Sequence, residues 1–175
     1  NDMGFDEKRV EASRNFANKV WNASRYVLMN LDDKDDCNFS LEELEDKDIW
    51  ILQKLNSAIE DVNKNMDKYE VGLACDRINS FIWEDFCDYY IEFSKPALYG
   101  DDDLKSNTKK VLLYVLINSL KILHPIMPFI TEEIYSSIPN KEDEYLITAK
   151  WPEVYDLGAN LEAVDTVESI KDLIK

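Results

Sequence analysis

Apolar residues in this chain recur at intervals of three and four over long stretches. Leu52, Leu55, Ile59, Val62, Met66 and Tyr69 form one such seam. Ala74, Ile78, Phe81, Ile82, Phe86, Tyr89 and Phe93 form a second, and Leu112, Val115, Leu116, Ser119, Ile122 and Leu123 a third. That spacing places each set on one side of an α-helix and leaves no alternation from which to build strands. Only four glycines and five prolines interrupt 175 residues, so long rods can persist. The implied architecture is all-α, an up-and-down bundle of four to five helices around a common core, with an extended C-terminal segment.

Punctuation sets the expected boundaries. Asp6 is a plausible N-cap for a first helix running to Leu31, and the acidic stretch from Asp32 to Asn38 ends it. Ser40-Leu41-Glu42-Glu43 matches a capping box ahead of the second helix. The third is expected to stop near Lys95, before Pro96. Asp101-Asp102-Asp103 opens the fourth, and Pro125 and Pro128 separate it from a short fifth around Ile130 to Ser137. Tyr145 to Pro152 reads as extended chain along the bundle. Residues 161–175 carry helical spacing without a C-cap, as a helix cut short would.

Several chemistries lack their parts. The single histidine, His124, stands at a helix end before Pro125, where capping is its natural role, and it has no triad context. Glu42-Glu43 and Glu132-Glu133 are paired carboxylates, but no glutamate stands three residues before His124 as a di-iron bundle requires. Gly4, Gly72, Gly100 and Gly158 are isolated, so there is no phosphate-cradling loop. Cys37, Cys75 and Cys87 form no close pair and read as plain thiols. No catalytic residue and no metal ligand is assigned. The absence of a signal segment or a long apolar run points to a cytoplasmic protein with no membrane partner.

The first helix is the exception to plain packing. Asn15, Asn18 and Asn22 each cost a helix up to ~0.7 kcal/mol relative to alanine, so propensity did not select them. At about 100° per residue, Val10, Phe16, Ala17, Val20, Trp21, Ser24, Val27, Leu28 and Leu31 share the core arc. Glu11, Arg14, Asn15, Asn18, Asn22 and Arg25 lie opposite. Amides flanked by guanidinium groups can hydrogen-bond base edges and hold phosphates, yet the same strip is also what an ordinary solvated face looks like. Phe81, Phe86, Tyr89 and Phe93 read as core, leaving Trp83 and Tyr90 as the aromatic side chains that could stack on bases.

Net charge is −16, which at face value opposes nucleic-acid binding. The charge is uneven, however. Residues 1–25 carry five cations and four anions, whereas Asp32 to Asp48 holds nine carboxylates and two lysines. Charges farther apart than a Debye length of about 10 Å are largely screened, so local cations can act locally with modest affinity. An acidic helical protein-interaction module that binds no RNA is the alternative that composition favours.

Longer motifs carry a resemblance. Arg14-Asn-Phe-Ala-Asn-Lys-Val-Trp-Asn-Ala-Ser-Arg25, Asp48-Ile-Trp-Ile-Leu52, Phe81-Ile-Trp-Glu-Asp-Phe-Cys-Asp-Tyr-Tyr-Ile-Glu92, Ser94-Lys95 and His124-Pro-Ile-Met-Pro-Phe-Ile-Thr-Glu-Glu-Ile134 are similar to the anticodon-binding helical domain of the valyl-tRNA synthetases. The likeness covers about residues 3–152. It implies membership in class I enzymes that join valine to its tRNA with ATP and magnesium, through catalytic and editing domains this chain does not contain. A His-Ile-Gly-His signature cannot exist with one histidine, and no Lys-Met-Ser-Lys-Ser occurs.

The resemblance further implies that the bundle receives the anticodon stem-loop of valine tRNA, whose anticodon ends in A and C. Arg14, Asn18, Asn22 and Arg25 are then expected to face RNA, with Lys19 on the phosphates and Asn15 tying the helix to a neighbour. No cofactor is expected in the fragment itself. Residues 1–152 are read as the binding bundle of a monomer that works beside the catalytic domain of the same polypeptide. Residues 153–175 are read as the start of a linker toward a C-terminal extension.

Overall fold

The computed structural model describes residues 6–100, 102–158, 167–169 and 171. Most of the helix expected over 161–175 lies outside the described residues. Among the described residues six α-helices are defined: α1 (Glu7–Met29), α2 (Asp46–Asp67), α3 (Val71–Ser80), α4 (Ile91–Leu98), α5 (Asp102–Leu123) and α6 (Pro128–Ser136). No strand occurs among the described residues. One helix more than expected arises because the third rod is α3 and α4 joined without a break by a π-helix over Phe81–Tyr90. The core is continuous, from Phe16 and Val27 through Leu55, Ile59, Phe81 and Phe86 to Val115 and Leu120.

The π segment changes which side chains are buried. Its i→i+5 bonds, such as Ile91 N–H to the Phe86 carbonyl, make a wider turn than an α-helix. Phe81, Phe86 and Ile91 therefore line up, and Tyr90 and Ser94 take the fully covered positions expected for Tyr89 and Phe93, which are half-buried. Tyr90 cannot stack on a base, because it is 0% exposed. Its hydroxyl instead donates to Asp48 Oδ1 at 2.6 Å.

Boundaries depart from expectation where local chemistry outweighs the sequence cue. α1 starts on Asp6, which accepts from Lys8 N–H, but ends at Met29, where the Asn30 amide donates to the Tyr26 carbonyl. Leu41–Glu43 forms only a 3-10 turn, and Ser40 makes no cap. The reciprocal cap of α2 uses Glu45 and Asp48, with Glu45 N–H donating to Asp48 Oδ2 at 3.2 Å. Pro96 sits inside α4, which continues to Leu98; near a helix end, its missing N–H costs only one bond of the final turns. Met66 and Tyr69 are exposed, so the α2 seam ends at Val62.

Three polar ties organise the rest. Lys109 of α5 reaches Asp32 at 2.7 Å and Asp35 at 3.3 Å, holding the acidic loop to the bundle. Burial works to lower the Lys109 pKa, but hydrogen bonds to both carboxylates outweigh it and hold the ammonium above its ordinary range. The C-terminal segment runs antiparallel to α2. Trp151 Nε1 donates to Asn63, and Asn56 exchanges two hydrogen bonds with the Tyr155 backbone at 2.7 and 2.8 Å. His124 Nδ1 lies 2.8 Å from Thr131 Oγ1, whose own proton goes to the Met127 carbonyl, so the imidazole ties α5 to α6.

Candidate nucleic-acid interface

α1 packs against the π segment, α5 and α6 through Phe16, Val20, Ala23, Ser24 and Val27. This leaves one full side of the helix to solvent. Arg14, Asn15, Asn18, Asn22 and Arg25 are all exposed. The three asparagine side chains make no hydrogen bond among the described residues, unlike Asn30, Asn56 and Asn118, whose amides are engaged. The expected tie from Asn15 to a neighbouring helix therefore has no partner among them. An unengaged amide keeps two donors and an acceptor for an external group.

Both arginines are available. Arg14 lies 3.8 Å from Glu11 in a pair whose side chains are mostly exposed, a contact worth little in water. Arg25 has no ion pair among the described residues. Arg14, Asn18 and Arg25 are related by four and seven residues, so they form one row three turns long, with Asn22 beside it.

Lys19 differs from the arginines. Its ammonium sits 2.5 Å from Asp88 and 3.8 Å from the centre of the Trp83 ring, at the border between α1 and the π segment. Trp83 in turn stacks on Phe16 with ring centres 6.4 Å apart. The lysine charge is thus shared with a carboxylate before any external phosphate arrives. Beneath it, burial pushes the Cys87 thiol up to about 12 against the opposing pull of Lys19, so the sulfur is a neutral apolar group.

Two residues assigned to the core arc lie elsewhere. Val10 is exposed, and Trp21 is 39% exposed on the edge of the arginine and amide row. The helical wheel puts Trp21 at the boundary of two arcs, and hydrophobicity alone assigned it inward. Its neighbours on the helix surface are Asn18, three residues before, and Arg25, four after. Met29 extends the same exposed face by a turn.

A family model for the anticodon-binding domain of tRNA ligase matches residues 48–175. The valine–tRNA ligase of Clostridium tetani (strain Massachusetts / E88) is 47% identical over 182 residues, spanning 100% of this chain and 20% of that protein. The valine–tRNA ligase of Clostridium perfringens (strain 13 / Type A) is 49% identical over 172 residues, spanning 94% of this chain and 19% of its own length. The valine–tRNA ligase of Bacillus cereus (strain ATCC 10987 / NRS 248) is 45% identical over 176 residues. The chain spans about a fifth of the length of these curated relatives.

Proposed function

The chain belongs to the anticodon-binding domain family of tRNA ligases, and from that membership we propose that it is the part of a valine–tRNA ligase that receives the anticodon stem-loop of valine tRNA. The observation that carries this reading is the exposed row on α1, where unengaged amides stand among arginines without other strong partners. RNA loops are read from splayed bases by hydrogen bonds and stacking, and side-chain amides and guanidinium groups supply those hydrogen bonds. Arg14, Asn18, Asn22 and Arg25 face the loop in this reading. Lys19, already steadied by Asp88, offers a shared cation toward the phosphates.

Binding, not bond chemistry, is the contribution of this part. Among the described residues no group of three or more His, Cys, Asp or Glu side chains is placed to hold a metal ion, and we assign no residue here to the magnesium and ATP that the full-length ligase would use. Those groups belong with other parts of the polypeptide, where binding energy collected here helps place the acceptor end of the tRNA. Residues 153–175 begin the link toward a C-terminal extension. No helix among the described residues is long and apolar enough to cross a membrane.

Titration of the chain with the valine anticodon stem-loop and with a loop carrying an A-to-C change at the middle anticodon base tests the reading. The native loop is expected to bind more tightly by about 1–3 kcal/mol, roughly 5- to 150-fold. Affinity should fall as salt rises, because cations meet phosphates. Equal affinity for both loops at low salt would overturn base reading, and no salt-dependent binding at all would favour the acidic protein-interaction module.

A further inference from the structure

We infer that Trp21 is the stacking residue of the α1 face, presenting its indole to an unstacked nucleobase of the bound RNA loop; this rests on the anticodon-loop reading above. The chain has four tryptophans. Trp50 donates its indole N–H to Glu168 and Trp151 donates to Asn63. Trp83 stacks on Phe16 beneath the Lys19 ammonium. Trp21 alone has no hydrogen bond, ring contact or cation contact among the described residues, and it is 39% exposed. An indole usually finds a partner for its N–H within the protein when it is buried, whereas this one faces solvent. Here a large flat apolar ring and a free donor remain at the surface.

Placement supplies the ligand class. Trp21 stands four residues before Arg25, three after Asn18 and seven after Arg14, so all four side chains share one patch of helix surface. An aromatic face bordered by two guanidinium groups and an amide suits a nucleobase attached to a phosphodiester: the ring stacks, the cations meet the backbone and the amide meets a base edge. Three of the other strongly exposed apolar side chains, Phe129, Ile147 and Tyr69, lack this setting. Phe129 and Ile147 border a groove with Glu132, Glu133 and Glu144, whose charge repels an RNA backbone. Tyr69 follows the end of α2, next to Glu70.

Stacking makes demands that a purely structural tryptophan would not. The 175-residue chain and its Trp21→Leu and Trp21→Phe variants are titrated with the valine anticodon stem-loop, with tryptophan fluorescence and affinity recorded together and circular dichroism confirming the helical fold. Trp21→Leu is expected to weaken binding about ten-fold, and Trp21→Phe, which keeps an aromatic face, to retain most of the affinity. RNA should quench the fluorescence of the parent chain, and that quenching should largely disappear in Trp21→Phe. If the parent binds and both variants bind equally well, or both weaken equally, or the quenching persists in Trp21→Phe, stacking on Trp21 is overturned while the anticodon reading stands. If the parent chain does not bind the loop at all, the reading and this inference fall together.

Discussion

Replacing Asp48 with alanine is expected to destabilise the fold by about 3 kcal/mol, the cost of breaking a buried, hydrogen-bonded charge site. Asp48 is 1% exposed and works in three places at once. It accepts from the Tyr90 hydroxyl at 2.6 Å, from the Glu45 backbone N–H at the start of α2, and from Lys47 at 3.3 Å. Alanine leaves the Tyr90 hydroxyl buried without its acceptor and removes one half of the reciprocal cap of α2. Chemical denaturation of both proteins reads the difference directly.

The same site has a pH signature. Burial pushes the Asp48 carboxyl above its ordinary range, although Lys47 and the Tyr90 hydroxyl pull it down. The Tyr90 phenol is driven far up, first by burial and then by Asp48. The native state therefore holds the Asp48 proton more tightly than the unfolded chain does. Stability from that difference is fully present below the unfolded value of about 3.9 and is lost as pH rises through the folded value. Asp48→Asn has no proton to exchange there. The stability of the parent minus that of Asp48→Asn is expected to grow as pH falls from 7 toward 4, and a difference that stays flat would contradict the assignment.

Trp50→Ala is expected to cost about 4 kcal/mol and lower the melting temperature by roughly 10 °C. The indole is fully buried and meets Phe93 with ring centres 6.2 Å apart. Its N–H donates to Glu168 at 2.8 Å, and Glu168 also pairs with Lys54 at 2.6 Å. Lys171 completes the cluster, with its ammonium 3.2 Å from Asp85 and 4.3 Å from the Tyr89 ring centre. Glu168→Gln keeps an acceptor for the indole and removes only partly exposed ion pairs, so it should cost less than ~1 kcal/mol. Comparable losses in the two variants would place the stability in the ion cluster, not in the buried ring.

Much of this fold was legible because helical spacing is a strong signal over long seams. α2 and α5 follow their apolar stripes closely through Leu52, Leu55, Ile59 and Val62, and through Leu112, Val115 and Leu116. The aromatic run from Phe81 to Tyr90 was less legible, since a wheel drawn with α-helical turns cannot anticipate a π segment that brings Tyr90 inside and turns Tyr89 partly out. The cap of α2 was misplaced because Ser40 has the preferred residue type, while Glu45 and Asp48 have the geometry.

The candidate face was half legible. Pattern identified the amides and arginines of α1 by their helix cost, and family membership gave that strip an RNA partner to propose. Lys19 and Trp21 could not be placed from sequence. One depends on Asp88, sixty-nine residues away, and the other lies on a boundary that only packing resolves.

The side-chain N–H resonances of the α1 amides report directly on contact with RNA. Addition of the valine anticodon stem-loop to nitrogen-15-labelled chain is expected to shift the Nδ2 signals of Asn18 and Asn22. Those of Asn56, bonded to the Tyr155 backbone, and Asn65 on α2 should stay in place. Shifts confined to Asn56 or Asn65, or none at Asn18 and Asn22 once the loop is bound, would contradict the assignment of this face to the anticodon loop.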